Sequence, residues 1–170
     1  LFSVRMMPDL SVPAGGTLIN AAGERGEKGT FGVASPWCCF FGTRGGAVEG
    51  VALFEHPGNP WYPCPWFTRD YGFMSPTPMF WPPDGEAFRF AQEDEVILRY
   101  RVVVFAGAEA VDALPRLYAE YAGASAQGEA TDTAGNTVSA ADLAALKQYA
   151  VGGARAPLYR IEAAIRAAGT

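Results

Sequence analysis

Four prolines fall within nine residues, Pro57, Pro60, Pro63 and Pro65, directly after the short apolar run Gly50-Val51-Ala52-Leu53-Phe54. That run, with its β-branched residue and the turn-like Arg44-Gly45-Gly46 before it, reads as a buried strand. Pro57 ends it, because proline has no N–H for a strand ladder and pushes the preceding His56 toward extended geometry. The prolines, with Gly58 and Asn59, predict a stiff loop running on to residue 72.

The rest of the chain alternates short apolar runs with turn signals. Leu1–Met7 alternates apolar and polar residues and predicts a half-buried strand, with Leu10–Val12 continuing it past a bulge. Thr17–Ile19 is a short strand, and the polar, glycine-rich 20–32 is a loop. Phe31–Phe41 reads as a strand despite Pro36, and Gly42–Gly46 as a hairpin turn into the 48–55 strand. Met79–Trp81 and Ala87–Phe90 are further strand candidates around the turn Pro82-Pro83-Asp84-Gly85. Val96–Phe105 is the clearest strand, its Arg99 and Arg101 alternating with apolar residues. Arginines placed so either line a ligand face or simply alternate on an outer face. Glu109–Ala122 has helical apolar spacing, with Pro115 inside it. These elements predict a mainly β domain, an antiparallel β-sandwich with a late helix, over residues 1–122. A linker over 123–137 and a helical extension over 138–170 follow. The extension is read as a C-terminal helical pair, one helix from the capping-box-like Ser139–Asp142 and one from Pro157.

The loop carries the chemistry. Trp61, Tyr62, Trp66 and Tyr71 offer aromatic faces and Asn59 a fixed amide, a set suited to a flat, partly polar ligand such as a sugar ring. The same aromatics also suit the internal packing of a long loop. His56, the only histidine of the chain, reads either as a functional group or as a turn histidine bonded to backbone. With Glu55, Arg69 and Asp70 it makes an acid–base candidate set, since these types donate, accept and stabilise anionic charge; Arg69-Asp70 also reads as a surface charge pair.

Several positions together resemble the second half of a bacterial family labelled PmoA-like. They are Gly15-Gly16, Asn20 through Gly26, Trp37, Gly42, Gly50 through Pro60, Pro65-Trp66, Arg69 through Gly72 and Leu98 through Val104. The resemblance spans residues 15–121. In that family a histidine often follows the loop tryptophan, where this chain has Phe67, and an Asp commonly precedes the His-Pro, where it has Glu55. Family members carry a preceding half with a histidine-bearing segment. The resemblance therefore implies that this sequence is a piece of a longer protein, whose missing half or a partner chain would cover open strand edges.

Charge excludes some classes. The net charge is −5 with 13 Lys plus Arg, and no basic cluster offers a nucleic-acid groove. No apolar run approaches the roughly eighteen residues a bilayer span needs. No signal peptide is recognisable. We therefore expect a soluble protein with no membrane partner, its compartment open. Cys38 and Cys39 are adjacent, so as strand residues they point to opposite faces and set up no metal site. All three cysteines read as small buried thiols, with a disulfide from Cys64 to one of the pair as the alternative. No zinc or EF-hand spacing is present, no cofactor is expected, and a single histidine builds no Ser-His-Asp set. Two functions remain: a protein that binds or acts on a carbohydrate or sugar acid through loop 55–72, and a non-catalytic interaction module.

Overall fold

The computed structural model describes residues 2–78, 90–93, 95–123 and 159–168, the last stretch for its backbone. The strands are β1 (Val4–Arg5), β2 (Thr17–Asn20), β3 (Trp37–Arg44), β4 (Ala47–Glu55), β5 (Trp66–Arg69), β6 (Phe73–Pro76), β7 (Glu95–Ala106) and β8 (Tyr159–Ala168); the helices are α1 (Gly26–Thr30) and α2 (Glu109–Gly123). They form a three-stranded sheet, order β1-β6-β5, and a five-stranded sheet, order β2-β3-β4-β7-β8. Every strand pairing is antiparallel.

Two apolar layers follow from period-two alternation. One side of the large sheet presents Leu18, Cys38, Phe40, Leu53, Leu98, Tyr100 and Val102 to Met6, Trp66 and Met74 of the small-sheet layer. The other side presents Cys39, Ala52, Phe54, Val103 and Phe105 to α2. Alternate residues of β3, β4 and β7 thus enter different cores, which explains why these strands read as nearly continuous apolar runs. The α2 stripe is Ala110, Leu114, Leu117 and Tyr121, all buried, a helical spacing that runs through Pro115. The mainly β, sandwich-like class with a late helix is therefore as expected.

The β3–β4 hairpin closes with Arg44 opposite Ala47. Gly45 and Gly46 have φ of 59° and 82°, the pair of positive values that a tight primed turn demands and only glycine adopts readily. Gly50 serves a different need, close packing. A Cβ there would stand 2.3 Å from Cζ of Phe105 and 2.8 Å from the carbonyl oxygen of Phe40.

Several expectations change. Of 1–7, only Val4–Arg5 is strand, and it joins the small sheet beside β6. Residues 10–12 contribute to two short 3-10 turns, Pro8–Leu10 and Val12–Ala14. The polar 20–32 loop contains the single-turn helix α1. The 31–41 strand begins only at Trp37, after Pro36. The loop expected to run to 72 ends at Pro65, because 66–69 and 73–76 pair as β5 and β6. Their strand period was obscured by Pro65 just before β5 and Pro76 at the end of β6. The second helix of the C-terminal pair is a correction: residues 159–168 form β8, paired along β7 from Tyr159 opposite Val104 to Ala168 opposite Glu95. Ile161 and Ile165 are four apart, which matches one helical turn and two strand repeats alike. The unpaired edge of β7 supplies the ladder partners that decide between them. The strand candidates around 79–89, the 124–137 linker and the helix from Ser139 lie outside the described residues.

Candidate functional site

The end of β4 separates Glu55 and His56 onto opposite faces of the large sheet. Glu55 turns inward between the sheets and is fully buried. Its Oε2 accepts the Cys64 backbone N–H at 2.9 Å, and Oε1 has no hydrogen-bond partner among the described residues. Burial raises its pKa above the usual carboxylate value, against the opposing pull of hydrogen bonds from Cys64 and Asn59. Tyr100 stands opposite it in register, also with a buried, unpartnered hydroxyl.

His56 lies on the α2 side. Its ring meets Tyr121 edge to face, centroids 5.1 Å apart. Nδ1 accepts the Gly58 N–H at 2.9 Å, which commits that lone pair and puts the ring proton of the neutral form on Nε2. The backbone N–H of His56 donates to the Arg99 carbonyl at 3.1 Å. Asn59 completes this anchor. Its Oδ1 accepts the Arg99 N–H at 2.8 Å and its Nδ2 donates to the Arg99 carbonyl at 3.0 Å, so a side-chain amide continues the β4–β7 ladder after proline ends it.

Arg99 and Arg101 project from β7 on this same side. Arg101 is buried, its guanidinium 4.5 Å from the Tyr121 ring centroid. Tyr118 Oη donates to Tyr62 Oη at 2.8 Å, tying α2 to the loop. Tyr121 Oη is buried without a partner among the described residues. Burial pushes the Tyr121 phenol up, while Arg101 and Arg99 pull it down. Burial also raises Tyr118, helped by its bond to Tyr62. The Tyr118 and Tyr121 phenols are therefore neutral at physiological pH.

The structure divides the acid–base set. Arg69 and Asp70 lie at the small sheet, where they hold α1. Asp70 Oδ1 accepts the Glu27 N–H in the first turn of that helix at 2.7 Å, a cap supplied from a distant part of the chain. Arg69 pairs with Glu27 at 2.8 Å and lies between Phe31 and Phe67, 4.4 and 4.3 Å from their centroids. Trp66 is core, fully buried with its indole N–H given to the Ser35 carbonyl at 2.7 Å, so it offers a ligand no surface. Trp61 is half-buried against the inter-sheet core. Tyr71 is exposed under Arg5, 5.2 Å from its guanidinium. Phe67 packs on Phe31 and Phe73 at 5.4 and 5.7 Å. It faces away from Trp66, on the opposite side of the sandwich from His56.

What remains together is His56, Asn59 and Tyr62 of the predicted set, with Arg99, Arg101, Tyr118 and Tyr121. The arginine alternation and the helix were both visible in the sequence; the packing that turns the helix's tyrosines onto that face was not. The three cysteines are free and buried. Burial raises all three thiols, Cys38 further because Cys39 and Cys64 lie near. Among the described residues no group of three or more His, Cys, Asp or Glu is set to hold a metal, and no helix is long and apolar enough to cross a membrane. No curated protein and no solved structure matches the chain. A family model does match, over residues 1–119, and the chain belongs to that family of unknown function, DUF6807.

Proposed function

We propose that this chain is a PmoA-like sandwich protein that binds a carbohydrate or sugar acid at the root of the proline loop, where β4, β7 and α2 meet. One observation carries the reading. His56, Tyr62, Tyr118 and Tyr121 converge there with two arginines, and Asn59 and His56 fix the backbone beneath them. Phenol and imidazole groups on a pre-set frame suit a hydroxylated ring, and a frame already ordered loses little entropy on binding. Binding is favoured over turnover because Arg69 and Asp70 are committed to α1 and Glu55 faces the inter-sheet core. The test is thermal melting with a panel of neutral sugars and sugar acids, for wild type and His56→Ala. A ligand held by the folded state raises the melting temperature by mass action. A shift lost in the variant supports the site. No shift with any sugar, from a protein that melts cooperatively, removes the carbohydrate reading and leaves an interaction module.

A further inference from the structure

We infer that Arg99 is the specificity residue of this site and that the ligand carries an oxyanion, a carboxylate or a phosphate, on its hydroxylated frame. The inference rests on the carbohydrate reading above and narrows it to anionic sugars.

Three features converge on Arg99. Its backbone is held at both ends, the N–H by Asn59 Oδ1 and the carbonyl by Asn59 Nδ2 and the His56 N–H. A guanidinium on a fixed strand position has fewer orientations to lose when it binds. Second, the antiparallel register sets Arg99 across from His56 on one face, and Gly58 leaves room between their heads. A Cβ at Gly58 would stand 3.1 Å from His56 Nδ1 and 4.0 Å from Arg99 Nη1. Third, the Tyr121 hydroxyl is buried beside this pair with no hydrogen-bond partner among the described residues. A buried phenol left unmatched is destabilising, and a ligand oxygen would satisfy it.

The charge around it fits. Arg44, Arg69 and Arg116 each have a carboxylate partner, whereas Arg99 has none within ion-pair distance among the described residues. Arg101 lies beside it on the same face, with Glu162 of β8 opposite Arg101 in register, so two guanidiniums stand near one acidic position in a chain of net charge −5. Arginine's planar fork matches an oxyanion with two parallel hydrogen bonds, and such charge-assisted bonds are about twice as strong as neutral ones.

Calorimetric titration and thermal melting with glucuronate, glucose 6-phosphate and glucose test this on wild type, Arg99→Gln and Arg99→Lys. One or both charged sugars should bind at least about tenfold more tightly than glucose, and which of them does so tells carboxylate from phosphate. Arg99→Gln should erase that advantage and Arg99→Lys should keep part of it, with wild-type affinity falling as salt is raised. Both variants should melt near wild type without ligand, since the side chain of Arg99 is half-buried. Equal binding of glucose and the charged sugars, or an anion advantage that survives Arg99→Gln, overturns this inference and leaves the carbohydrate reading standing. No response to any of the three removes both.

Discussion

Replacing Glu55 by glutamine should leave the protein no less stable at neutral pH and should flatten its stability at rising pH. Glu55 is fully buried, accepts the Cys64 N–H on Oε2 at 2.9 Å and has no partner for Oε1 among the described residues. Burial holds its folded pKa above the ordinary 4.5. The sign follows from linkage. Below the unfolded value both states are protonated and the fold keeps its full stability. As pH rises from there, the unfolded carboxyl ionises first while the folded one retains its proton. Stability then falls by about 1.4 kcal/mol per pH unit until the folded pKa is reached. Glutamine imitates the neutral acid: its carbonyl accepts the Cys64 N–H and its amide points toward Tyr100. Glu55→Ala removes the acceptor instead, strands that N–H and opens a cavity, a loss of about 3 kcal/mol. The assay is urea unfolding of wild type and both variants at half-unit steps from pH 4 to 8. Taking the wild type minus the Gln variant cancels every other carboxylate. A difference that stays flat across that range would refute the argument that burial dominates at Glu55.

Other consequences are quicker to check. Gly50→Ala should prevent folding or cost more than about 3 kcal/mol, read by melting or soluble yield, because its Cβ overlaps the Phe105 ring and the Phe40 carbonyl, both inside the sheet. Asn59→Ala should lower stability by about 1–3 kcal/mol and speed hydrogen exchange at the Arg99 amide, since it removes both side-chain bonds that extend the ladder. Asp70→Ala should weaken stability by about 1 kcal/mol through the lost α1 cap without altering sugar binding, because it acts on the far side of the sandwich. Breaking the exposed Arg116–Glu120 pair by Glu120→Gln should change unfolding free energy by less than about 0.5 kcal/mol.

Local chemistry was legible in the sequence. Gly42–Gly46 between two apolar runs signals a hairpin turn, and the β-branched alternation of 96–105 encodes a strand. The 109–122 stripe encodes a helix despite Pro115. These signals depend on φ preferences and side-chain period, which belong to the residues themselves. Tertiary structure decided three other matters. It made 66–69 and 73–76 strands, because pairing partners outweighed the neighbouring prolines. It made 159–168 a strand rather than a helix, because Ile161 and Ile165 fit both periods and the edge of β7 offered hydrogen bonds. It also divided the loop's chemistry: a one-residue step along β4 sends Glu55 into the core and His56 toward α2, while Arg69 and Asp70 go to α1. Those four residues are close only along the chain. The pleat, which reverses direction at every residue, separates Glu55 from His56; the small sheet carries Arg69 and Asp70 away, and the β4–β7 pairing and the packing of α2 put Arg99 and Tyr121 beside His56 instead.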